Sequence, residues 1–199
     1  MQSLDQLQKA MKVTLHAMAV SVEARDPYMV GHQRRVTDLA CAIAMEMNLS
    51  SRRVNGISMA GMIHDMGKIA IPESILSKPT KLTETEFITI KTHPQAGHDL
   101  VKEIEFPWPV AQIILQHHER MDGSGYPRGL SGKEILLEAR ILAVADVLEA
   151  ISSTRPYRPA HSIDIALEEN SRNRGTLYDP EVVDACLRIF CEKGYRMED

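Results

Sequence analysis

The sequence predicts an all-α fold. Apolar residues recur at intervals of three and four along most of the chain, no stretch sustains the alternation of a half-buried strand, and proline, glycine and capping signals divide the periodic runs into helix-sized pieces. From Leu4 to Val22 the apolar positions are Leu4, Leu7, Met11, Leu15, Met18 and Val22, a stripe along one helix face that Asp26-Pro27 brings to an end. This N-terminal helix, residues 1–24, packs on its own domain or serves as a linker or dimerisation extension, since its narrow seam has the spacing of a coiled coil.

A second helix is expected from near His32, with Val36, Leu39, Ile43 and Met47 on one face and His32 in the first turn. Val54, Ile57, Ala60 and Ile63 mark a third, which delivers His64 and Asp65 at its C-terminal end. Residues 67–81 include Pro72 and Pro79 and few periodic positions, so they read as a loop with at most a short turn. Thr83 and Glu86 form a capping box that opens a helix through Thr92. His93 precedes Pro94, and proline suits the first helical position, so His93 is expected at the junction before a helix running to about Ile104. Residues 110–119 read as a helix ending in His117-His118-Glu119.

Gly123, Gly125, Pro127, Gly129 and Gly132 make the next stretch a shaped loop. Ser131 with Glu134 forms a second capping box, read as the start of an apolar helix from Ile135 to Ile151 that only Asp146 interrupts. Residues 152–159 read as a loop, and helices are expected near Ile163 to Asn170 and Pro180 to Cys191, for a total of seven to nine.

The 199 residues suit one domain with a substantial core, and 44% hydrophobic with 25% charged residues is globular composition. The net charge of -4 without a basic block argues against a DNA or RNA groove. No apolar run reaches the roughly 20 residues of a membrane span, and the start lacks a signal-peptide pattern, so the expectation is a cytoplasmic protein. Cys41, Cys186 and Cys191 form no CxxC pair and read as reduced thiols packed in helices.

Candidate chemistry gathers in the histidines and aspartates. His32, His64, Asp65, His93, His117, His118 and Asp146 all fall at helix ends or inside apolar helices, whereas His16, His98 and His161 read as ordinary core or surface residues. Imidazole with carboxylate suits iron, manganese, nickel or zinc, and without paired cysteines a structural zinc knot is disfavoured. Neighbours on a helix point about 100° apart, which spreads His117 and His118 over two ions rather than one. Asp65, with two oxygens, is suited to bridge such a pair. Asp146 lies in Val144-Ala145-Asp146-Val147-Leu148, where a carboxylate is costly to bury without a partner.

The ordered blocks Arg25-Asp26-Pro27-Tyr28 to Gly31-His32, His64-Asp65-Met66-Gly67-Lys68, His93-Pro94, Gln116-His117-His118-Glu119 through Asp122-Gly123-Ser124-Gly125-Tyr126-Pro127, and Ala143-Val144-Ala145-Asp146 with Arg155-Pro156-Tyr157-Arg158 resemble the HD-GYP family. The resemblance runs from about residue 14 to 192. It implies an HD-superfamily helical bundle with a metal centre in its core, a Gly-rich GYP loop, and hydrolysis of cyclic di-GMP to linear pGpG or on to GMP. It further implies that His32, His64, Asp65 and Asp146 form the ligand set shared by HD proteins, and that His93, His117 and His118 complete a second ion's shell.

Some members of the family look trinuclear, with a glutamate four residues before the histidine matching His32. Tyr28 stands there, which predicts two divalent ions, iron or manganese first and nickel or zinc as alternatives. Lys68 would be the catalytic cation facing a phosphate oxygen in the transition state, Arg155 and Arg158 a substrate clamp, and Tyr126 a platform for a base. Alternatives are a preference for cyclic GMP-AMP, an oxygen-activating di-iron protein, and a non-catalytic module that senses the dinucleotide. Expected partners are the cyclic dinucleotide, an upstream sensory or receiver domain, a second copy, or a GGDEF-type protein.

Overall fold

The computed structural model describes residues 2–25, 30–153 and 160–197. Among these it is helical throughout, with isolated bridges in place of strands. The helices are α1 (Gln2–Glu23), α2 (His32–Glu46), α3 (Ser51–Ile63), α4 (Glu73–Leu76), α5 (Glu84–Ile90), α6 (His93–Val101), α7 (Val110–Gln116), α8 (Leu137–Ser152), α9 (Ile163–Arg172) and α10 (Pro180–Cys191). Two 3-10 turns, Met66–Ala70 and Gly132–Glu134, lie between them.

The described helices number ten, beyond the expected seven to nine. The excess comes from α4, four residues long between prolines and too short to show a period. The capping box of Ser131 and Glu134 is real but opens the 3-10 turn, and α8 begins only at Leu137. Thr83 and Glu86 do cap α5 as expected, although it ends at Ile90, and α6 stops at Val101 rather than near Ile104.

Helices α2, α3 and α8 form the centre of the bundle, with α7 against α3 and α9 and α10 against the far side of α8 and α2. Val36, Leu39 and Ile43 of α2 and Ile57, Ala60 and Ile63 of α3 are fully buried, as the spacing predicts. Among the described side chains of α1, Leu15, Ala19, Val22 and Glu23 are buried and Met18 is exposed, while the side chains of Leu4, Leu7 and Met11 lie outside the described residues. Cys186 is buried and Cys41 partly so, but Cys191 is exposed, contrary to a packed position, because it closes the last turn of α10.

Candidate metal centre

Each polar residue singled out in the sequence is set in place by the way its helix begins or ends. At the start of α2, Gly31 has no side chain to cap with, and the Glu23 carboxylate at the end of α1 serves instead. It accepts from the N–H of Gly31 at 3.3 Å and of Gln33 at 3.0 Å, which fixes His32 between them as the first helical residue. Helix α3 stops at Ile63, so His64 is its cap and Asp65 leads into the 3-10 turn that holds Lys68. Arg25 clamps that turn from outside, donating to the carbonyls of Ile69 at 2.8 Å and Ile71 at 3.1 Å.

Gly67 brings the same turn against α6. A Cβ there would lie 1.9 Å from the His93 carbonyl oxygen and 2.4 Å from the Gly97 nitrogen, so only glycine permits this approach. His93 opens α6 rather than preceding it.

Helix α7 ends at Gln116, which changes the expected relation of His117 and His118. His117 is the cap and His118 lies beyond the helix, so the 100° divergence does not apply, and their ring centroids are 4.1 Å apart. Ligand-type atoms of His93, His117 and His118 lie within 4.8 Å of one another. The same is true of His32, His64 and Asp146, and of His64, Asp65 and His117.

The carboxylates link these groups. Asp65 turns Oδ2 toward His32 Nε2 at 3.7 Å and His64 Nε2 at 3.6 Å, and Oδ1 toward His93 Nε2 at 3.3 Å. Asp146 repeats the arrangement, with Oδ1 3.3 Å from His32 Nε2 and Oδ2 4.0 Å from His118 Nδ1. Each aspartate therefore offers one oxygen to either histidine set.

The ring nitrogens are sorted with the same consistency. His64, His93 and His117 donate Nδ1–H to the carbonyls three residues earlier, Gly61 at 2.6 Å, Ile90 at 2.8 Å and Ile114 at 2.6 Å, and His32 directs Nδ1 to Glu149. For His64, His93 and His117 this network assigns the tautomer and leaves the Nε2 lone pairs facing inward, while His32 turns Nε2 to Asp146. His64 Nε2 is buried with no hydrogen-bond partner, and the Nε2 atoms of His93 and His117 face each other at 3.3 Å. Lone pairs so placed repel unless a cation or proton lies between them, so the donor set fits bound metal ions.

The electrostatics follow from burial and mutual proximity. Burial alone would raise Asp65 and Asp146, but Lys68 and the surrounding histidines hold Asp65, and His32 above all holds Asp146, well below the usual carboxylate range. Burial pushes His117 down to about 3 and takes His64 and His118 down as well. His32 goes the other way: burial lowers it, yet hydrogen bonds to Asp146 and Glu149 carry it up to about 9.

Of the remaining expected site residues, Lys68 reaches the centre through Asp65, with Nζ 2.7 Å from Oδ2. Tyr126 stacks on His118 with centroids 4.8 Å apart, which places its ring beside the second histidine set. The glycine in front of it serves the chain itself: a Cβ on Gly125 would fall 2.4 Å from the Arg120 nitrogen. Arg155, Arg158 and Tyr28 lie outside the described residues. His16 and His161 are exposed and His98 bonds Asp99 and Gln112, all apart from the centre.

Sequence reasoning missed the supporting residues. Glu149 is fully buried on α8, accepts from His32 and from Arg35 Nε at 2.8 Å, and takes the Ser153 hydroxyl at 2.7 Å. The reasoning that marked Asp146, a carboxylate inside an apolar helix, applies equally to Glu149 three residues on. Glu119 is buried and accepts the N–H of Arg128 at 2.7 Å and Leu130 at 3.0 Å, which ties the glycine-rich loop down beside His118.

The sequence profile of the HD domain family matches residues 17–182. The chain is 46% identical over 188 residues, 94% of its length and 50% of the relative's, to the cyclic di-GMP phosphodiesterase response regulator RpfG of Xanthomonas campestris pv. campestris. It is 43% identical over 169 residues, 84% of its length and 46% of the relative's, to a cyclic di-GMP phosphodiesterase of Thermotoga maritima. The fold is similar to that of a cyclic GMP-AMP specific phosphodiesterase of Vibrio cholerae, with TM-score 0.66 and 22% identity over 92% of this chain and 48% of the other. The chain spans about half the length of the curated relatives it matches. No helix among the described residues is long and apolar enough to cross a membrane.

Proposed function

The chain belongs to the HD domain family, in its HD-GYP branch, and from that premise we propose that it is a metal-dependent phosphodiesterase that opens cyclic di-GMP to linear pGpG and carries some of it on to GMP. The observation that supports this most is Asp65, whose two oxygens face different histidine sets. A single-ion site has no need of such a residue.

Two divalent ions would be held by His32, His64, Asp65 and Asp146 on one side and by Asp65, His93, His117 and His118 on the other. Iron or manganese suits these donors best, with nickel and zinc as alternatives. Bound there, the ions would make hydroxide available near neutral pH and draw charge from the phosphoryl oxygens. The chain's own residues do the rest. Nδ1–H bonds to backbone and Glu149 hold the imidazoles in orientation, so no reorganisation is needed when charge develops. Lys68, partly exposed beside Asp65, supplies a positive charge that a non-bridging phosphate oxygen can share. Arg155 and Arg158 would grip the nucleotide.

A second reading, cyclic GMP-AMP as preferred substrate, is supported by 38% identity over 169 residues to a 3'3'-cGAMP-specific phosphodiesterase of Vibrio cholerae, of whose length the match covers 37%. Regulation would come from an upstream sensory or receiver domain, a second copy or a GGDEF-type protein in the cytoplasm. The functional reading is tested by chromatography of products from cyclic di-GMP and cyclic GMP-AMP with metal-loaded protein. Linear dinucleotide from cyclic di-GMP is the expected result, and protein that holds its metal but leaves both substrates intact would overturn it.

A further inference from the structure

One basic side chain at the rim of the centre has no part in holding it. Lys91 caps the end of α5, two residues before His93. Helix α5 buries none of its residues, so the core does not dictate where Lys91 points. Its ammonium nevertheless lies 4.8 Å from the centroid of the Phe87 ring, one turn back, and 5.5 Å from that of Tyr126, the ring that stacks on His118. Lys91 is thus one aromatic ring away from the second histidine set.

Cation–π contact holds an ammonium in position without neutralising its charge. Among the described residues no carboxylate pairs with Lys91, whereas Lys68 is taken by Asp65 and Lys78 by Glu86. The result is an oriented, uncompensated positive charge beside the site.

A cyclic dinucleotide carries two phosphodiesters across one ring, so when one is at the ions the other faces away from them and needs its own counter-charge. We propose that Lys91 binds this second, non-reacting phosphodiester, with Phe87 and Tyr126 holding the ammonium ready for it. The proposal rests on the functional reading above and makes Lys91 a residue that separates cyclic dinucleotides from single diesters. Tyr126 then acts as the support between His118 and Lys91.

The test is steady-state kinetics of manganese-loaded wild type, Lys91→Met and Lys91→Arg on cyclic di-GMP and on bis(p-nitrophenyl) phosphate, which has one diester only. Lys91→Met is expected to raise KM for cyclic di-GMP about tenfold with kcat within about threefold, the size of one lost charge-assisted contact. The rise should exceed that on bis(p-nitrophenyl) phosphate at least about fivefold, and Lys91→Arg should recover most of it. Equal KM changes on the two diesters, no change on cyclic di-GMP, or loss of metal would overturn the assignment. Wild type that cleaves bis(p-nitrophenyl) phosphate but neither cleaves nor binds cyclic di-GMP would overturn the functional reading and this proposal with it, a result read before any variant is made.

Discussion

Glu149 is separated by 117 residues from the histidine it orients, and it also takes Arg35 and the Ser153 hydroxyl. Replacing it by glutamine keeps the shape and removes the charge that holds His32 Nδ1–H. Glu149→Gln is therefore expected to weaken metal binding about 10- to 100-fold, measured by competition with a chelator; unchanged affinity would show that other contacts orient His32. For Lys68→Ala the expectation is retained metal with kcat lowered about 10²-fold or more, because a charge near the phosphate is lost while every imidazole stays. Metal loss in that variant would place the role of Lys68 in holding Asp65 instead. The seven histidine and aspartate candidates were legible because polar groups in apolar runs are costly, and the structure gathers all seven. Glu149 carried the same signal as Asp146, a carboxylate inside the apolar helix α8, but what it does was not legible, because no local spacing joins residue 32 to residue 149.

The element that decides the centre's shape is the 3-10 turn Met66–Ala70, in a stretch that the sequence reads only as a loop with at most a short turn. Five residues are too few to show a period, and its structure comes from tertiary contact: Arg25 bonds it from the turn after α1 and Gly67 seats it on α6. Gly67→Ala must push α6 away, at a cost of about 2–3 kcal/mol, and should lower both the urea midpoint and the metal content. A variant as stable and metal-rich as wild type would contradict this packing. Where helices end mattered as much. The termination of α7 at Gln116 lets His117 and His118 face one place, which a helix drawn through residue 119 forbids.

Across the whole molecule, the all-α class was legible because it depends on periodicity summed over many turns, whereas the helix count was not, because short pieces such as α4 carry no such sum. The centre's protons also act on the whole fold. In metal-free protein His117 titrates at about 3, so below the ordinary 6.5 the unfolded chain binds a proton that the folded one refuses, and stability falls as pH drops toward 3. His32 titrates at about 9, so its contribution is complete below 6.5 and is lost as pH rises through 9. Thermal melts in chelator are expected to peak near 6.5, and a steady rise from there to 9 would contradict the assignment of His32. Metal must displace the His32 proton, so apparent metal affinity should increase with pH up to about 9.

The two histidine sets both face Asp65, and the proposed hydrolysis calls for both to be filled. The most direct measurement is cyclic di-GMP turnover as metal-free protein is titrated with manganese, with bound metal counted at each step. Turnover should stay near zero through the first ion per chain and climb with the second. Full turnover at one ion per chain, or two bound ions without turnover, would contradict a shared two-ion centre.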